Sequence, residues 1–304
     1  MKLLVGTTFS GIGAPEQALK NLGIDFITKW ACDSNKFAAH TYTSNHKCEM
    51  FLPDVLTINE NLLPDVDLYV FGFPCQDVSL AGQQNLERGR TRLVWRAWQI
   101  VKVKRPKYIL FENVKALTSK KFSSFFEYVL SYFIKDYNLT YSVLNSKHFG
   151  VPQNRERLFC VGIRKDIKQT FVMPTQNSVL SPTLRGVLDT FPPFYSLNVT
   201  TSYRGQNLIP DANKCYAGAL RTREGIKRLE LRESEVSNCL TTQINDSLVC
   251  VNGLVRRLSI DELKRLQGFP NSFIVPVSYN QATKLFGNSI TVPVLESIFS
   301  ELIK

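Results

Sequence analysis

The 304-residue sequence predicts an α/β protein in which a parallel sheet carries helices on both faces and a second, smaller domain is attached. Two observations carry this. Up to about residue 165, short apolar β-rich runs alternate with helix-like segments, the pattern of strands joined by crossover helices. From about 168 to about 250 that rhythm stops, and Pro, Thr, Ser and Asn accumulate between short apolar pieces.

The elements follow in order. "LLVGTTF" reads as a strand, closed by a glycine turn, and "PEQALKNLG" as a helix with Pro at its start and Gly at its end. "IDFITKWACD" and "SNKFAAHTYTSN" repeat the unit; "DLYVFGFP" is a strand, "TRLVWRAWQIVKVK" a helix, "YILFENV" a strand and "FSSFFEYVLSYFI" a helix. Helical signals return at "SIDELKRLQGFP", where Ser259 and Glu262 have the spacing of a capping box. "GNSITVPVLESIFSELI" reads as a turn and a closing helix. The expected division is 1–167 plus 272–304 for the larger domain and 168–271 for the smaller. "RTREGIKRLELR", inside the latter, is open between a groove lining and a solvated helix.

Composition narrows the function. Thirty-seven Lys and Arg against 26 Asp and Glu give a net charge of +11, which favours a polyanionic partner. No apolar run is long enough to span a bilayer and the N-terminus lacks the pattern of a signal peptide, so a cytoplasmic protein is expected. Seven scattered cysteines without a C-x-x-C pair fit reduced thiols and no metal.

In an open α/β sheet, ligands bind at the carboxyl ends of the strands. Three tripeptides fall there: Gly11-Ile12-Gly13, Pro74-Cys75-Gln76 and Glu112-Asn113-Val114. The glycine pair lacks the third glycine of a dinucleotide fingerprint, since Glu16 stands in its place. Asp33, twenty residues beyond Gly13, suits ribose hydroxyls and suits a helix N-cap equally.

Cys75 follows a proline that ends the strand, a setting for a nucleophilic thiol, although a cysteine chosen at random is more often a buried small hydrophobe. His40, His46 and His148 stand in no hydrolase-like context, and Val78 breaks the P-C-x-x-C pattern of zinc deaminases. Glu112 ends an apolar strand, where a carboxyl can hold or give a proton. Arg155 and Arg157, two apart, can bind a phosphate or carboxylate.

The series "FSGIGAPEQAL", "GFPCQDVSLAG", "ENV", "QNRERLF", "RRLSIDELKRLQGFP" and "GNSITVPV" resembles, in order and spacing, the motif set of cytosine-C5 DNA methyltransferases of bacterial or phage type, enzymes often paired with restriction systems. The resemblance implies a Rossmann-like S-adenosylmethionine-dependent sheet, with a target recognition domain in the gap before "LQGFP". Cys75 would attack C6 of a cytosine flipped out of double-stranded DNA, Glu112 would contact N3 and the amine, Arg157 would hold the base and Arg155 the adjoining backbone. The cofactor, leaving as S-adenosylhomocysteine, would meet Phe9, Gly11, Ile12, Gly13, Asp33, Asp54, Val55, Pro74, Leu93, Asn288 and Ser289. DNA would meet Gln76, Ser79, Arg90, Arg92, Thr241 and Thr242.

A monomer without metal is expected. Asp33 and Ser34 depart from the family's usual Glu and apolar pair, and Arg92 and Arg96 stand where small and acidic residues are commoner. The tRNA-methylating branch of the family typically reads Pro-Pro-Cys-Gln with a later Cys-Phe-Thr. Phe73 before Pro74 and the long recognition gap favour DNA. A catalytically inactive DNA-binding regulator is a third reading, opposed by the intact Cys75, Glu112 and Arg157.

Overall fold

The structure, a computed structural model, describes residues 2–74, 91–176, 182–190, 201–203, 206–207, 210–211, 213–223 and 226–304. Two compact units emerge: residues 1–144, 156–175 and 295–304 form the larger, and 145–155 with 176–294 the smaller. Residues 145–155 and 272–294 therefore group with the smaller unit, where the sequence reading had joined them to the larger domain.

The larger unit is built on a seven-stranded sheet of β1 (Leu3–Thr8), β2 (Phe26–Cys32), β3 (Cys48–Leu52), β4 (Leu68–Phe71), β5 (Tyr108–Val114), β6 (Tyr137–Asn145) and β7 (Glu156–Arg164). Their order across the sheet is β3-β2-β1-β4-β5-β7-β6. The first five pair in parallel, joined through α1 (Ala14–Asn21), α2 (Lys36–Asn45) and α3 (Thr91–Lys104); α4 (Ser123–Phe133) follows β5.

The sheet is not wholly parallel as expected, because β7 runs antiparallel to β5. Only residues 146–155 separate β6 from β7, and a parallel return needs a crossover of about a dozen residues or more. This reversal puts the start of β7 beside the end of β5, with Val114 opposite Arg157.

Strand alternation sends Tyr69, Phe71, Ile109 and Phe111 to one face, where they meet Val94, Ala97 and Ile100 of α3 and Phe126 and Phe133 of α4. The rings stack in series, Tyr69 on Phe71 and Phe71 on Phe111 with centroids 4.9 and 5.5 Å apart. α8 (Val292–Leu302) brings Leu295, Ile298, Phe299 and Leu302 into the larger unit fully buried, and its Glu296 accepts from Asn21 of α1 at 2.5 Å.

The smaller unit has a six-stranded sheet ordered β13-β12-β10-β11-β8-β9. Its strands are β8 (Thr201–Tyr203), β9 (Gln206–Asn207), β10 (Cys215–Arg223), β11 (Ile226–Glu233), β12 (Leu248–Val251) and β13 (Leu254–Arg257). Leu229, Leu231, Leu248 and Cys250 form its apolar centre. "RTREGIKRLELR" is thus a hairpin of β10 and β11 rather than a helix: Leu229 and Leu231 recur at period 2, and the strands pair antiparallel from Tyr216↔Glu233 to Arg223↔Ile226.

Among the described residues this unit also carries the α-helices α5 (Leu184–Val187), α6 (Ile260–Gln267) and α7 (Tyr279–Asn288). The capping box at α6 forms, with Ser259 N–H donating to Glu262 and the Glu262 N–H to the Ser259 hydroxyl. Glu262 is also paired with buried Arg256 at 2.7 Å.

Among the described residues no helix is long and apolar enough to cross a membrane, and no group of three or more His, Cys, Asp or Glu side chains is placed to hold a metal.

Candidate active site

The turn between β1 and α1 is shaped by its residues. Phe9, Gly11 and Gly13 have φ of 54°, 55° and 83°, left-handed values that glycine adopts without strain. A Cβ on Gly11 would meet nothing nearer than the Phe9 carbonyl at 4.0 Å, so a ligand can approach that backbone. Ser10 fastens the turn to β2, donating from its hydroxyl to the Cys32 carbonyl and accepting the Cys32 N–H.

Asp33, just past β2, accepts the Gly11 N–H at 2.8 Å through one carboxylate oxygen and the Asn35 N–H through the other. Burial raises its pKa and these two bonds oppose the rise. Each oxygen keeps a second lone pair, so the carboxylate can bind hydroxyls while it fixes the turn. The N-cap role left open for Asp33 falls to Asn35, whose side chain accepts from Phe37 and Ala38.

Asp54 lies past β3, which pairs with β2 up to Cys32↔Leu52, and its carboxylate accepts the Leu56 N–H. Val55 is buried beside it, Leu93 packs on the core below α3, and Ile12 is buried inside the turn.

Behind this turn lies a polar cluster that sequence inspection passed over. Glu16 is fully buried; its Oε1 accepts from the Tyr42 hydroxyl at 2.6 Å and from Thr7 at 3.3 Å, and burial raises its pKa. His46 hydrogen-bonds the Ile12 backbone and stands so close that a Cβ on Gly13 would lie 2.3 Å from its ring. The four-residue spacing between Tyr42 on α2 and His46 at its C-cap was the available signal.

Burial, and after it Lys20, lowers the His46 pKa to about 4. The unfolded chain, with an ordinary value of about 6.5, binds the proton first as pH falls, so stability present above that pH is lost through the folded value. His46→Asn should flatten the dependence of melting temperature on pH between about 6.5 and 4, a window in which wild type loses on the order of 3 kcal/mol from this group. An unchanged slope in the variant would refute the assignment.

Glu112, near the end of β5, and Arg157, at the start of β7, meet with Nε 3.2 Å from Oε1 and both side chains largely shielded. Gly72 borders the pair: a Cβ there would lie 3.8 Å from Glu112 Oε2. Pro74 is exposed at the end of this segment. Cys75, Gln76, Ser79 and Arg90 lie outside the described residues. Five of the other six cysteines, Cys32, Cys48, Cys160, Cys215 and Cys250, have thiols pushed up by burial, Cys32 to about 12 and both Cys215 and Cys250 to about 11. The sixth, Cys239, donates from its thiol to the Leu240 carbonyl.

Arg92 is exposed near the start of α3, whereas Arg96 is committed to the loop after β3, bonding the Ile58 carbonyl at 2.5 Å and Glu60 at 3.1 Å.

Within the smaller unit, Arg155 is 2 % exposed. Its guanidinium donates to the carbonyls of Leu240, Gly287 and Ser289 at 2.9, 3.0 and 2.7 Å. Four donor contacts of this guanidinium, three to these carbonyls and one to the Cys239 sulfur, therefore go to the chain itself. Gln153 and Gln267 extend the network: Gln153 accepts the Leu240 N–H, and Gln267 donates to the Phe286 carbonyl and accepts from Thr291. Gly287 permits the close packing, because a Cβ would fall 2.3 Å from the Thr241 backbone. The Thr241 hydroxyl donates to Asp246, Thr242 is half-buried, Asn288 is exposed and Ser289 buried.

The family described as C-5 cytosine-specific DNA methylase matches residues 5–304. The chain belongs to that family. Among relatives of this methylase, the Type II methyltransferase M.BsuFI of Bacillus subtilis is 32% identical over 98% of this chain and 72% of its own. The Type II methyltransferase M.NgoBI of Neisseria gonorrhoeae is 33% identical over 95% and 89%. A crystal structure of a Spodoptera frugiperda DNMT2 variant superposes with a TM-score of 0.75 at 18% identity, covering 100% of both chains, a likeness of fold. The methylase is therefore an enzyme acting at cytosine C5 of DNA, with the α/β sheet of that family and a second small sheet.

Proposed function

We propose that this methylase transfers a methyl group from S-adenosylmethionine to C5 of one cytosine, flipped out of double-stranded DNA at a specific sequence. The observation that carries the reading is the Glu112–Arg157 pair bordered by Gly72, past the carboxyl end of β4 where the chain runs on to Pro74 and Cys75.

The β1–α1 turn suits a nucleoside cofactor, with open backbone at Gly11 and the Asp33 carboxylate for ribose hydroxyls, and we assign Phe9, Ile12, Gly13, Asp54, Val55, Pro74, Leu93, Asn288 and Ser289 to the same cofactor on the family resemblance. S-adenosylmethionine, when bound, supplies the methyl group and leaves as S-adenosylhomocysteine.

The Cys75 thiolate forms a bond to C6, and the displaced electron pair makes C5 nucleophilic while Glu112 gives a proton to N3. Arg157 holds Glu112 and the base. After methylation, loss of the C5 proton and expulsion of Cys75 restore the ring double bond.

Gln76, Ser79, Arg90 and Arg92 contact the DNA, and Thr241 and Thr242 its backbone. Residues 168–271 act as the target recognition domain, while 1–167 and 272–304 serve catalysis and cofactor binding. The +11 charge supports a polyanionic substrate, the base leaving its stack at a cost of a few kcal/mol. The enzyme works as a cytoplasmic monomer without metal.

Bisulfite sequencing of DNA from cells expressing the chain should reveal 5-methylcytosine at one position of one recurring sequence. A duplex with 5-fluorocytosine there should then trap a covalent adduct with the purified enzyme and cofactor. Unmethylated DNA together with methylated tRNA would overturn the substrate, and absence of an adduct the mechanism.

A further inference from the structure

The chain leaving β4 has no regular means of holding its direction. The β4–β5 ladder ends at Phe71↔Phe111, and Pro74 cannot extend it because proline has no N–H. One side chain spans the gap. Asn113, 2 % exposed, donates from Nδ2 to the Phe73 carbonyl at 3.0 Å, while its Oδ1 accepts the Val114 N–H at 2.9 Å. Both ends of the amide are engaged, so its orientation is fixed and its donor is aimed at one carbonyl.

The neighbouring residue on β5 is Glu112, whose carboxylate borders Gly72. Gly72 and Phe73 are thereby registered against Glu112 and Asn113, beyond the last regular pair of the two strands. We propose that Asn113 is a positioning residue: its amide replaces the missing ladder bond and sets where the segment Phe73–Pro74 delivers Cys75 relative to Glu112. The inference rests on the reading of Cys75 as nucleophile and Glu112 as proton donor.

The bond has a chemical signature that bulk packing lacks. Asn113→Asp keeps the volume and the acceptor for Val114 but, when ionised, has no donor and faces the Phe73 carbonyl with negative charge. Protonated at lower pH, the same carboxyl donates and restores the bond. Asn113→Ala removes donor and acceptor at every pH.

The test is the single-turnover rate of covalent adduct formation on a duplex carrying 5-fluorocytosine at the methylated position, measured across pH for wild type, N113D and N113A. Melting temperature and the dissociation constant of S-adenosylhomocysteine serve as controls of folding. Near pH 8 both variants should form adduct about 10²-fold more slowly than wild type, with cofactor binding altered less than about threefold. The ratio of N113D to wild type should climb as pH falls, and that of N113A should stay flat.

Undiminished rates in the variants, or a flat N113D ratio, would overturn the proposal, as would losses matched by equal losses of cofactor binding. Absence of adduct from wild type itself would overturn the cytosine mechanism together with this role. Wild-type adduct with unaffected variants would overturn the role alone.

Discussion

Cys75→Ser should abolish methyl transfer, with turnover falling by at least about 10³-fold, while S-adenosylhomocysteine still binds within a few-fold of wild type. A thiol is partly ionised near neutral pH and strongly nucleophilic, whereas a serine hydroxyl needs a general base at hand. Among the described cysteines none can stand in: burial pushes five thiols upward, and Cys239 spends its proton on Leu240. The measurement is tritium transfer from labelled cofactor to DNA, alongside calorimetric titration of S-adenosylhomocysteine. Full turnover by the variant would eliminate Cys75 as the nucleophile.

Arg155→Met should chiefly cost stability, in contrast to Arg157→Met, which should chiefly cost rate. Removing the Arg155 guanidinium strands the carbonyls of Leu240, Gly287 and Ser289, each buried acceptor costing about 1–3 kcal/mol. A loss on the order of 3–5 kcal/mol is a large share of the stability of an ordinary domain. Arg157, by contrast, pairs with Glu112 alongside the end of β4, so its loss should lower the urea midpoint by less than that of Arg155 and slow adduct formation far more. Wild-type melting of Arg155→Met combined with defective turnover would return Arg155 to direct substrate contact.

What the sequence disclosed and what it hid differ by range. The helix at Thr91–Lys104 and the strand at Tyr108–Val114 end where the sequence reading ended them, because apolar periodicity and Pro106 mark them locally. The strand at Cys48–Leu52 escaped notice because it lies at the sheet edge and shows no clean alternation of buried and exposed residues.

Among the candidate site residues, Asp33 and Glu112 were legible as acids at strand ends, where the structure has them. The bond from Asn113 to Phe73 spans 40 residues, and those from Arg155 reach up to 134 residues along the chain, so no local pattern reports either. Arg155 and Arg157 look alike in "QNRERLF"; only the reversed strand, which sets Arg157 beside Glu112, and the carbonyls gathered around Arg155 tell their surroundings apart.

The burial of Leu295, Ile298, Phe299 and Leu302 in the larger unit has a consequence for the nascent chain. Once residue 144 has been translated, β7, which lies between β5 and β6 in the sheet, and the helix carrying these side chains are still to come, and the smaller unit is made before that helix is complete. Each of these side chains contributes about 1.5–3 kcal/mol on burial, enough to decide whether the unit is folded. The larger unit therefore completes its core only after the smaller unit has been translated.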